Sequence, residues 1–140
     1  QVDAEVQNYC DKFSRIVKDK VITSAWVPGV QDFLQKYKEK FIFVLVSATP
    51  QNELEDICRS LNLTEVFCKI YGAPNSKTES IRTTMIDYKV PSSSCVMIGD
   101  AQADIEAAQD NEIHFIFRRH IDNTSLPIKS YIQTIDNFCV

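Results

Sequence analysis

Four polar residues of this sequence have the chemistry to act together on a phosphate ester: Ser47, Lys77, Asp100 and Asp104. A lysine ammonium neutralises phosphate charge, a serine hydroxyl donates a hydrogen bond, and carboxylates provide the oxygen ligands that Mg²⁺ prefers. Phosphoryl transfer depends mainly on positioning and charge neutralisation, so these groups would supply most of the required chemistry if they share one pocket. The set lacks a nucleophile.

The segments that carry these residues contain short apolar runs that predict β-strands. Residues 41–46 (FIFVLV) are rich in β-branched and aromatic side chains, which predicts a strand that is buried in a parallel sheet and ends at Ser47. Residues 68–71, 95–98 and 114–117 predict three further strands. Helical segments separate them, and this alternation is typical of a doubly wound α/β fold with right-handed crossovers.

Helices are predicted where apolar residues recur at three- and four-residue spacing. The capping-box spacing of Ser76 and Glu79 opens one helix and places Lys77 in its first turn. Thr49 and Pro50 predict the start of another helix, directly after the first strand. The remaining predicted elements are helices over about 3–20 and 30–37, a helix that follows Asp100, and an edge strand within 130–135.

The positions of the polar residues relative to the strands favour a shared site. Ser47 follows the first strand, Lys77 opens the helix after the second, and Asp100 follows the third, with Asp104 four residues later. Taken singly, they have ordinary explanations as a polar strand end, a solvated lysine, a helix cap and a surface acid. Because ligands bind at the carboxyl ends of strands in open parallel sheets, their joint occurrence at consecutive strand ends predicts one functional site.

Composition restricts the class of protein. A chain of 140 residues with 44% hydrophobic and 24% charged residues fits one soluble domain, and its longest apolar run, 41–46, is too short to span a bilayer. The net charge of −4 favours neither nucleic acid nor a membrane surface as a partner. Three widely separated glycines exclude a Walker A loop. Five cysteines without a C-x-x-C pair favour buried reduced thiols and a cytoplasmic location.

These motifs resemble those of the haloacid dehalogenase superfamily, and in particular its phosphoglycolate-phosphatase-like subgroup with a helical cap. VLVSATP, at 44–50, looks like the second motif, and SKTESI, at 76–81, looks like the third. VMIGDAQADIEAA, at 96–108, is similar to the fourth motif, GDxxxD. The resemblance covers about residues 25–120.

The resemblance implies a Mg²⁺-dependent phosphatase that acts on a small phosphorylated metabolite through an aspartyl-phosphate. Ser47 and the amide of Ala48 would bind the phosphoryl group, and Lys77 would bind it and stabilise its charge. Asp100 would bind Mg²⁺, and Asp104 would support the metal shell. The resemblance thus implies Ser47, Lys77 and Asp104 as the catalytic set and Asp100 as the metal ligand.

One expected motif has no counterpart in the sequence. The family's first motif, an apolar strand followed by DxDGT, supplies the nucleophile and the general acid, and no Asp-x-Asp occurs in the 140 residues. TTMIDYK, with Asp87, is the segment most similar to this motif, but it lies on a helical pattern and lacks the second aspartate. The chain alone is therefore expected to be inactive.

The resemblance places the missing strand in the middle of the sheet, between the strand before Ser47 and the strand before Asp100. We expect the gap to be closed by a missing N-terminal segment, by direct pairing of the two flanking strands, or by a second copy of the chain. By the same resemblance, residues 1–23 are the C-terminal remnant of the helical cap, and residues 24–140 form the Rossmann-like core.

Other functions remain open at this point. The main alternative is a catalytically inactive module that binds a phosphorylated ligand or a protein partner. A signalling receiver domain uses similar groups, but it presents its acidic residues before its lysine, which is the reverse of the order here. Arg118, Arg119 and His120 follow the last strand of the core, where they could reach an anionic leaving group, although a solvated basic cluster is the simpler interpretation.

Overall fold

The computed structural model describes residues 28–120, 123, 126, 133–136, 138 and 139. The helix predicted over 3–20 and the boundary of the cap remnant at residue 23 lie outside the described residues. In chain order the elements are α1 (Val30–Tyr37), β1 (Val44–Pro50), α2 (Gln51–Ser60), β2 (Lys69–Ala73), α3 (Lys77–Tyr88), a 3₁₀ turn (Ser92–Ser94), β3 (Val96–Gly99), α4 (Gln102–Asp110), β4 (His114–Arg118) and β5 (Gln133–Ile135).

All strand pairs in the described residues are parallel, which confirms the predicted α/β class. β1 pairs with β2, β3 pairs with β4, and β4 pairs with β5. The pairs form two separate sheets, β1–β2 and β3–β4–β5. Direct pairing of β1 with β3, one of the three ways in which we expected the gap to close, does not occur. Each of these two strands therefore has one edge that pairs with no described strand.

Helices α3 and α4 connect the two sheets. α2 packs on β1 and β2, α3 packs on β1 and on α4, and α4 packs on β3 and β4. The pairing of α3 with α4 thus brings the two sheets under one helical layer. The core consists of the buried apolar residues Leu34, Leu54, Ile57, Cys58, Val66, Ile81, Ile105, Ala107, Ala108 and Phe117.

Helix α3 begins where the capping box predicts. The Ser76 hydroxyl oxygen accepts a hydrogen bond from the Glu79 backbone N–H at 3.1 Å, so Lys77 is the first helical residue. The helix ends at Lys89, whose φ of 54° is in the left-handed region, and Pro91 follows shortly after. Local sequence signals therefore determine both ends of the helix that carries the lysine.

The first predicted strand is displaced along the chain. Phe41 and Ile42 are 56% and 49% exposed and precede β1, which continues to Pro50. The Phe41 ring packs against Tyr37 and Phe43 instead of entering the sheet. Pro50 pairs with a residue of β2 and is the N-cap of α2, so the prediction that Thr49 starts this helix was wrong.

The third predicted strand is present but is not fully buried. β3 runs from Val96 to Gly99, and Val96 and Ile98 are 53% and 37% exposed. These two residues share one face of the strand because side chains alternate. Helix α4 packs on β3, yet this face stays exposed in the described part of the chain. The prediction of complete burial assumed an apolar neighbour that the described residues do not provide.

The C-terminal segment returns to the core in two places. The last three residues of the segment predicted as an edge strand form β5, whereas 130–132 lie outside the described residues. The Phe138 N–H donates to the Pro28 carbonyl at 2.9 Å, and the Phe138 ring lies 5.4 Å from that of Phe33. The end of the chain thus packs against the start of α1.

Two predictions from composition have different outcomes. No helix in the described part of the chain is long and apolar enough to cross a membrane. Cys58, Cys68 and Cys95 carry free thiols, but only Cys58 is fully buried. The expectation of buried thiols is confirmed for Cys58 and was wrong for Cys68, which is exposed and directly precedes β2.

Candidate functional site

An ion pair between two helix starts forms the centre of the candidate site. The Lys77 ammonium, in the first turn of α3, donates to Asp104 Oδ1 at 2.6 Å. The two side chains are 23% and 7% exposed, so the pair is largely withdrawn from water. Charge-assisted hydrogen bonds of this kind are stronger than neutral ones, and partial burial reduces their screening. The pair therefore fixes α3 against α4 at the carboxyl ends of the strands.

The second oxygen of Asp104 determines the course of the loop after β3. Asp104 Oδ2 accepts hydrogen bonds from the backbone N–H groups of Asp100 and Ala101, both at 3.1 Å. A Cβ atom at Gly99 would overlap the Cβ and carboxylate of Asp104, so only glycine permits this close approach. The GDxxxD spacing thus has a local physical reason. Both oxygens of Asp104 accept hydrogen bonds, so its carboxylate joins Lys77 to the loop after β3.

Asp100 points its carboxylate towards solvent. Its side chain is 52% exposed, and its Oδ2 lies 3.1 Å from Nε2 of His120. Its backbone carbonyl accepts from the Asn123 amide at 2.8 Å. Backbone and side chain are thus both held by the residues that follow β4, while much of the carboxylate stays accessible.

The described residues supply some of the ligands that a Mg²⁺ site requires. Mg²⁺ is usually bound by one or two carboxylates together with several waters. Asp100 provides one accessible carboxylate, and Asp104 is engaged with Lys77 and with backbone amides. No group of three or more His, Cys, Asp or Glu residues that could hold a metal ion occurs within the described ranges. Asp100 therefore fits as one ligand of a site that needs a further ligand from elsewhere.

Ser47 lies in an irregular part of β1. The ladder with β2 shifts register between Val46 and Pro50, so Ser47 belongs to a bulge, a feature that often re-aims side chains at functional sites. The Ser47 hydroxyl donates to the Thr49 hydroxyl at 3.0 Å and accepts from the Thr49 backbone N–H at 3.1 Å. This turn presents two hydroxyl groups at the end of the strand. Sequence analysis did not include Thr49 among the candidate site residues, although its spacing from Ser47 is that of a serine turn.

The end of β2 is held by Gln51, which sequence analysis also missed. Its amide group donates to the Ile70 carbonyl at 3.0 Å, and its side-chain oxygen accepts from the Gly72 backbone N–H at 2.5 Å. A Cβ atom at Gly72 would approach the Thr49 carbonyl to 2.5 Å, so glycine is required for the close contact between the two strand ends. Gln51 thus bridges backbone groups where the regular ladder is interrupted.

The structure links three of the four predicted residues directly. Lys77, Asp104 and Asp100 are connected by the hydrogen bonds described above, at the ends of α3, α4 and β3. Ser47 lies on β1, against which α3 packs, and its hydroxyl bonds within its own turn. Ala48, the predicted amide donor, is exposed in the same bulge.

Arg118, the last residue of β4, and the two basic residues that follow it do not form a uniform cluster. Arg119 pairs with Asp136 at 2.9 Å, whereas His120 contacts Asp100. The hydrogen bond from Arg119 lowers the pKa of Asp136 and raises that of the guanidinium. Burial raises the pKa of the Cys58 and Cys95 thiols. A raised pKa keeps a thiol protonated at neutral pH, so neither cysteine is an activated nucleophile.

Comparison with known proteins gives one family and a consistent fold. A family model described as haloacid dehalogenase-like hydrolase matches residues 1–117. A search of curated proteins finds no match.

Three solved structures illustrate the likeness in fold. A predicted phosphoglycolate phosphatase from Haemophilus somnus is 17% identical, with a TM-score of 0.79 over 99% of this chain and 66% of its own. CbbY from Rhodobacter sphaeroides in complex with phosphate is 15% identical, with a TM-score of 0.79 over 98% of this chain and 66% of its own.

A CbbY mutant in complex with xylulose-1,5-bisphosphate is 18% identical, with a TM-score of 0.68 over 80% of this chain and 54% of its own. The chain thus spans between about one half and two thirds of the length of these proteins. Their fold matches the Rossmann-like core predicted from the sequence.

Proposed function

The chain belongs to the haloacid dehalogenase-like hydrolase family, and we propose that it forms the core of a Mg²⁺-dependent phosphatase that acts on a small phosphorylated metabolite. The observation that carries the proposal is the hydrogen-bonded series Lys77–Asp104–Asp100. It brings an ammonium group and an accessible carboxylate together at the carboxyl ends of the strands, and these are the groups needed to hold a phosphate ester beside a divalent cation.

In this proposal Lys77 binds the phosphoryl oxygens. An ammonium group has three N–H donors, and one of them is directed to Asp104, so two remain for a phosphate. Ser47 and the amide of Ala48 would bind the same phosphoryl group from the side of β1. The Ser47 hydroxyl donates its one proton to Thr49 in this structure, so it would redirect that proton to the phosphate, and the Thr49 hydroxyl is a further donor in that turn. Asp104 acts through Lys77 and through the backbone of Asp100 as a positioning residue.

Asp100 would hold Mg²⁺, together with waters and a second protein ligand. The bound ion would neutralise charge on the phosphoryl oxygens. The half-exposed carboxylate of Asp100 and its fixed backbone support this role. Asp104 is not proposed as a ligand, because both of its oxygens are already engaged.

The nucleophile would come from a strand that lies between β1 and β3. Both strands have an edge without a described partner, and such edges are normally paired or protected. The exposed apolar residues Val96 and Ile98 show that one face of β3 is also uncovered in the described part of the chain. On a parallel strand, two aspartates separated by one residue point to the same face, so both would reach the site.

We propose that this strand belongs to a segment of the same protein that precedes the chain, rather than to a second copy. The lengths of the matched structures support this choice, because the chain covers only 66% of the two with the highest TM-scores. The relatives that hold phosphate and xylulose-1,5-bisphosphate support a small phosphorylated ligand. The free thiols of Cys58, Cys68 and Cys95 support a reducing, cytoplasmic location.

Hydrolysis of p-nitrophenyl phosphate tests the proposal. Two proteins would be produced: the chain alone, and the chain joined to the segment encoded upstream in its gene. Phosphate release by each would be measured with Mg²⁺ and with EDTA. We expect activity only in the longer protein and only with Mg²⁺. Lys77→Ala and Asp100→Asn in that protein should each reduce kcat by at least about 100-fold.

Lys69→Ala is the matched control, because Lys69 is an exposed lysine on β2. It should leave kcat unchanged. Equal activity of the control and Lys77→Ala would contradict the assignment of Lys77. No Mg²⁺-dependent activity in the longer protein would favour the inactive binding module over the phosphatase.

A further inference from the structure

Asn123 is a buried polar residue outside the groups used so far. Its residue exposure is 5%, and it lies five residues beyond the last residue of β4. Its amide nitrogen donates to the carbonyl of Asp100 at 2.8 Å and to that of Arg118 at 3.0 Å. Its side-chain oxygen accepts from the His120 backbone N–H at 2.8 Å. Both N–H groups and the oxygen of the amide are therefore in use.

The two carbonyls lie just beyond the end of the β3–β4 ladder. The last ladder pair is Gly99 and Phe117, and the bonded carbonyls belong to the next residue on each strand. The side chain of Asn123 thus replaces the backbone bonds that end there. A side chain with two donors is needed, because both groups to be joined are acceptors.

The same turn also contacts the side chain of Asp100. The His120 ring nitrogen lies 3.1 Å from Asp100 Oδ2, and the position of His120 depends on its backbone bond to Asn123. Asp100 is therefore held at its N–H by Asp104, at its carbonyl by Asn123 and at its carboxylate by His120. Removal of the Asn123 amide would release two of these three contacts.

We propose that Asn123 is the positioning residue that sets the metal affinity of Asp100. The proposal rests on the proposed function only in that Asp100 binds the metal. Residues that orient a metal ligand typically change metal affinity about 10- to 100-fold when they are replaced. Asn123→Asp keeps the shape of the side chain but places a carboxylate against two carbonyls, so the turn should separate from β3.

Asn111 provides a matched control at a distance from Asp100. It has a residue exposure of 8%, and its amide also donates to two carbonyls, those of Thr78 and Ala107. Asn111→Asp therefore makes the same chemical change between α3 and α4. Both variants should lose stability, but only Asn123→Asp should change the environment of Asp100.

The experiment combines backbone amide hydrogen exchange with Mn²⁺ binding, both followed by ¹⁵N NMR on the longer protein that carries the segment encoded upstream. In Asn123→Asp we expect exchange of the Asp100 and Ala101 amides to rise at least about tenfold. We expect Mn²⁺ broadening at these amides to require at least about tenfold more metal. Asn111→Asp should reproduce neither change. If Asn123→Asp does not fold, Asn123→Ser is used, because it keeps one hydroxyl donor and leaves room for a water.

Equal exchange and equal Mn²⁺ binding in the Asn123 and Asn111 variants would overturn the proposal. Faster exchange with unchanged Mn²⁺ affinity would also overturn it, because the contacts would then be structural only. If the unmodified longer protein shows no Mn²⁺ broadening at Asp100, the metal role of Asp100 in the proposed function fails, and with it the claim that Asn123 sets metal affinity. The exchange data distinguish the two failures, because they report without metal whether Asn123 keeps the loop between Asp100 and Asp104 in place.

Discussion

Different contacts stabilise the carboxyl ends of the strands in the two sheets. At the end of β1–β2 the contacts are uncharged, and they consist of the hydroxyl turn of Ser47 and Thr49 and the amide of Gln51. At the end of β3–β4–β5 they centre on an ionised carboxylate, Asp104, that is paired with Lys77. In the proposed function the first end would bind the phosphoryl group, and the second would provide the charges that neutralise it.

The comparison also shows what connects the two ends. The described strands of the two sheets are not paired with each other, whereas α3 packs on β1 and α4 packs on β3. Lys77 begins α3 and Asp104 lies in the first turn of α4, so their ion pair joins the helices at the level of the site. Changes to this pair should therefore affect both ends, and changes elsewhere should affect only one.

Asp104→Asn should have the largest effect. It removes a partly buried ion pair, and we expect the free energy of unfolding to fall by about 3 kcal/mol, the lower end of the range for breaking such pairs. Urea denaturation measures the loss. Asp110→Asn, an exposed carboxylate on the same helix, should cost less than about 0.5 kcal/mol. Equal losses in the two variants would show that the ion pair does not join the sheets.

Gly72 and Gly99 each lie at a close contact, so the same substitution can be compared at the ends of the two sheets. Gly99→Ala would press a methyl group against Asp104, and Gly72→Ala would press one against the backbone of Thr49 and Gln51. Each should cost about 1–3 kcal/mol, as overpacking usually does. In ¹⁵N NMR spectra Gly99→Ala should shift the amides of residues 100–104, and Gly72→Ala should shift those of 47–51. Shifts of the amides of residues 100–104 in Gly72→Ala would contradict the confinement of its effect to the first end.

Gln51→Leu should have a smaller effect that is confined to the first sheet. It leaves the Ile70 carbonyl and the Gly72 N–H without their side-chain partner, which should cost about 1–2 kcal/mol. Gln51→Glu restores an acceptor for Gly72 but not the donor for Ile70, so it should recover part of the loss. Thermal unfolding measures both variants. A loss in Gln51→Glu as large as in Gln51→Leu would exclude the Gly72 bond as a contributor.

The smallest predicted effect is a pH dependence at the far edge of the second sheet. Arg119 lowers the pKa of Asp136 below its ordinary value of 3.8. The pair therefore stabilises the folded chain above about that pH, and its contribution is lost as the pH falls through the lower folded-state pKa. NMR titration of the Asp136 carboxyl should give a pKa that returns to the ordinary value in Arg119→Gln. An unchanged pKa in that variant would contradict the contribution of Arg119.

Elements and residues with local signals could be predicted from the sequence. The Ser76–Glu79 capping box predicted the start of α3 and hence the place of Lys77, and the structure confirms both. The close spacing of Gly99, Asp100 and Asp104 predicted a turn into a helix, where Asp104 bonds the backbone three and four residues earlier. Short-range geometry determines these features, so a single sequence contains them.

Features that depend on distant residues could not be predicted. Gln51 bonds a carbonyl 19 residues away, and Asn123 bonds one 23 residues away, with no local pattern at either position. The exposure of Val96 and Ile98 depends on what packs on that face of β3, which an apolar run does not specify. The parallel fold follows from periodicity, whereas the contacts that hold the strand ends depend on tertiary structure.

The central claim is that Ser47, Lys77 and Asp100 form one site for a phosphate and a metal ion. Paramagnetic relaxation of the phosphorus of inorganic phosphate by bound Mn²⁺, measured by ³¹P NMR, tests it most directly. We expect strong relaxation in the longer protein that carries the upstream segment, and loss of that relaxation both in its Lys77→Ala variant and in its Asp100→Asn variant. Phosphate that binds with the same affinity in Lys77→Ala, or that is bound without relaxation by Mn²⁺, would contradict a shared site.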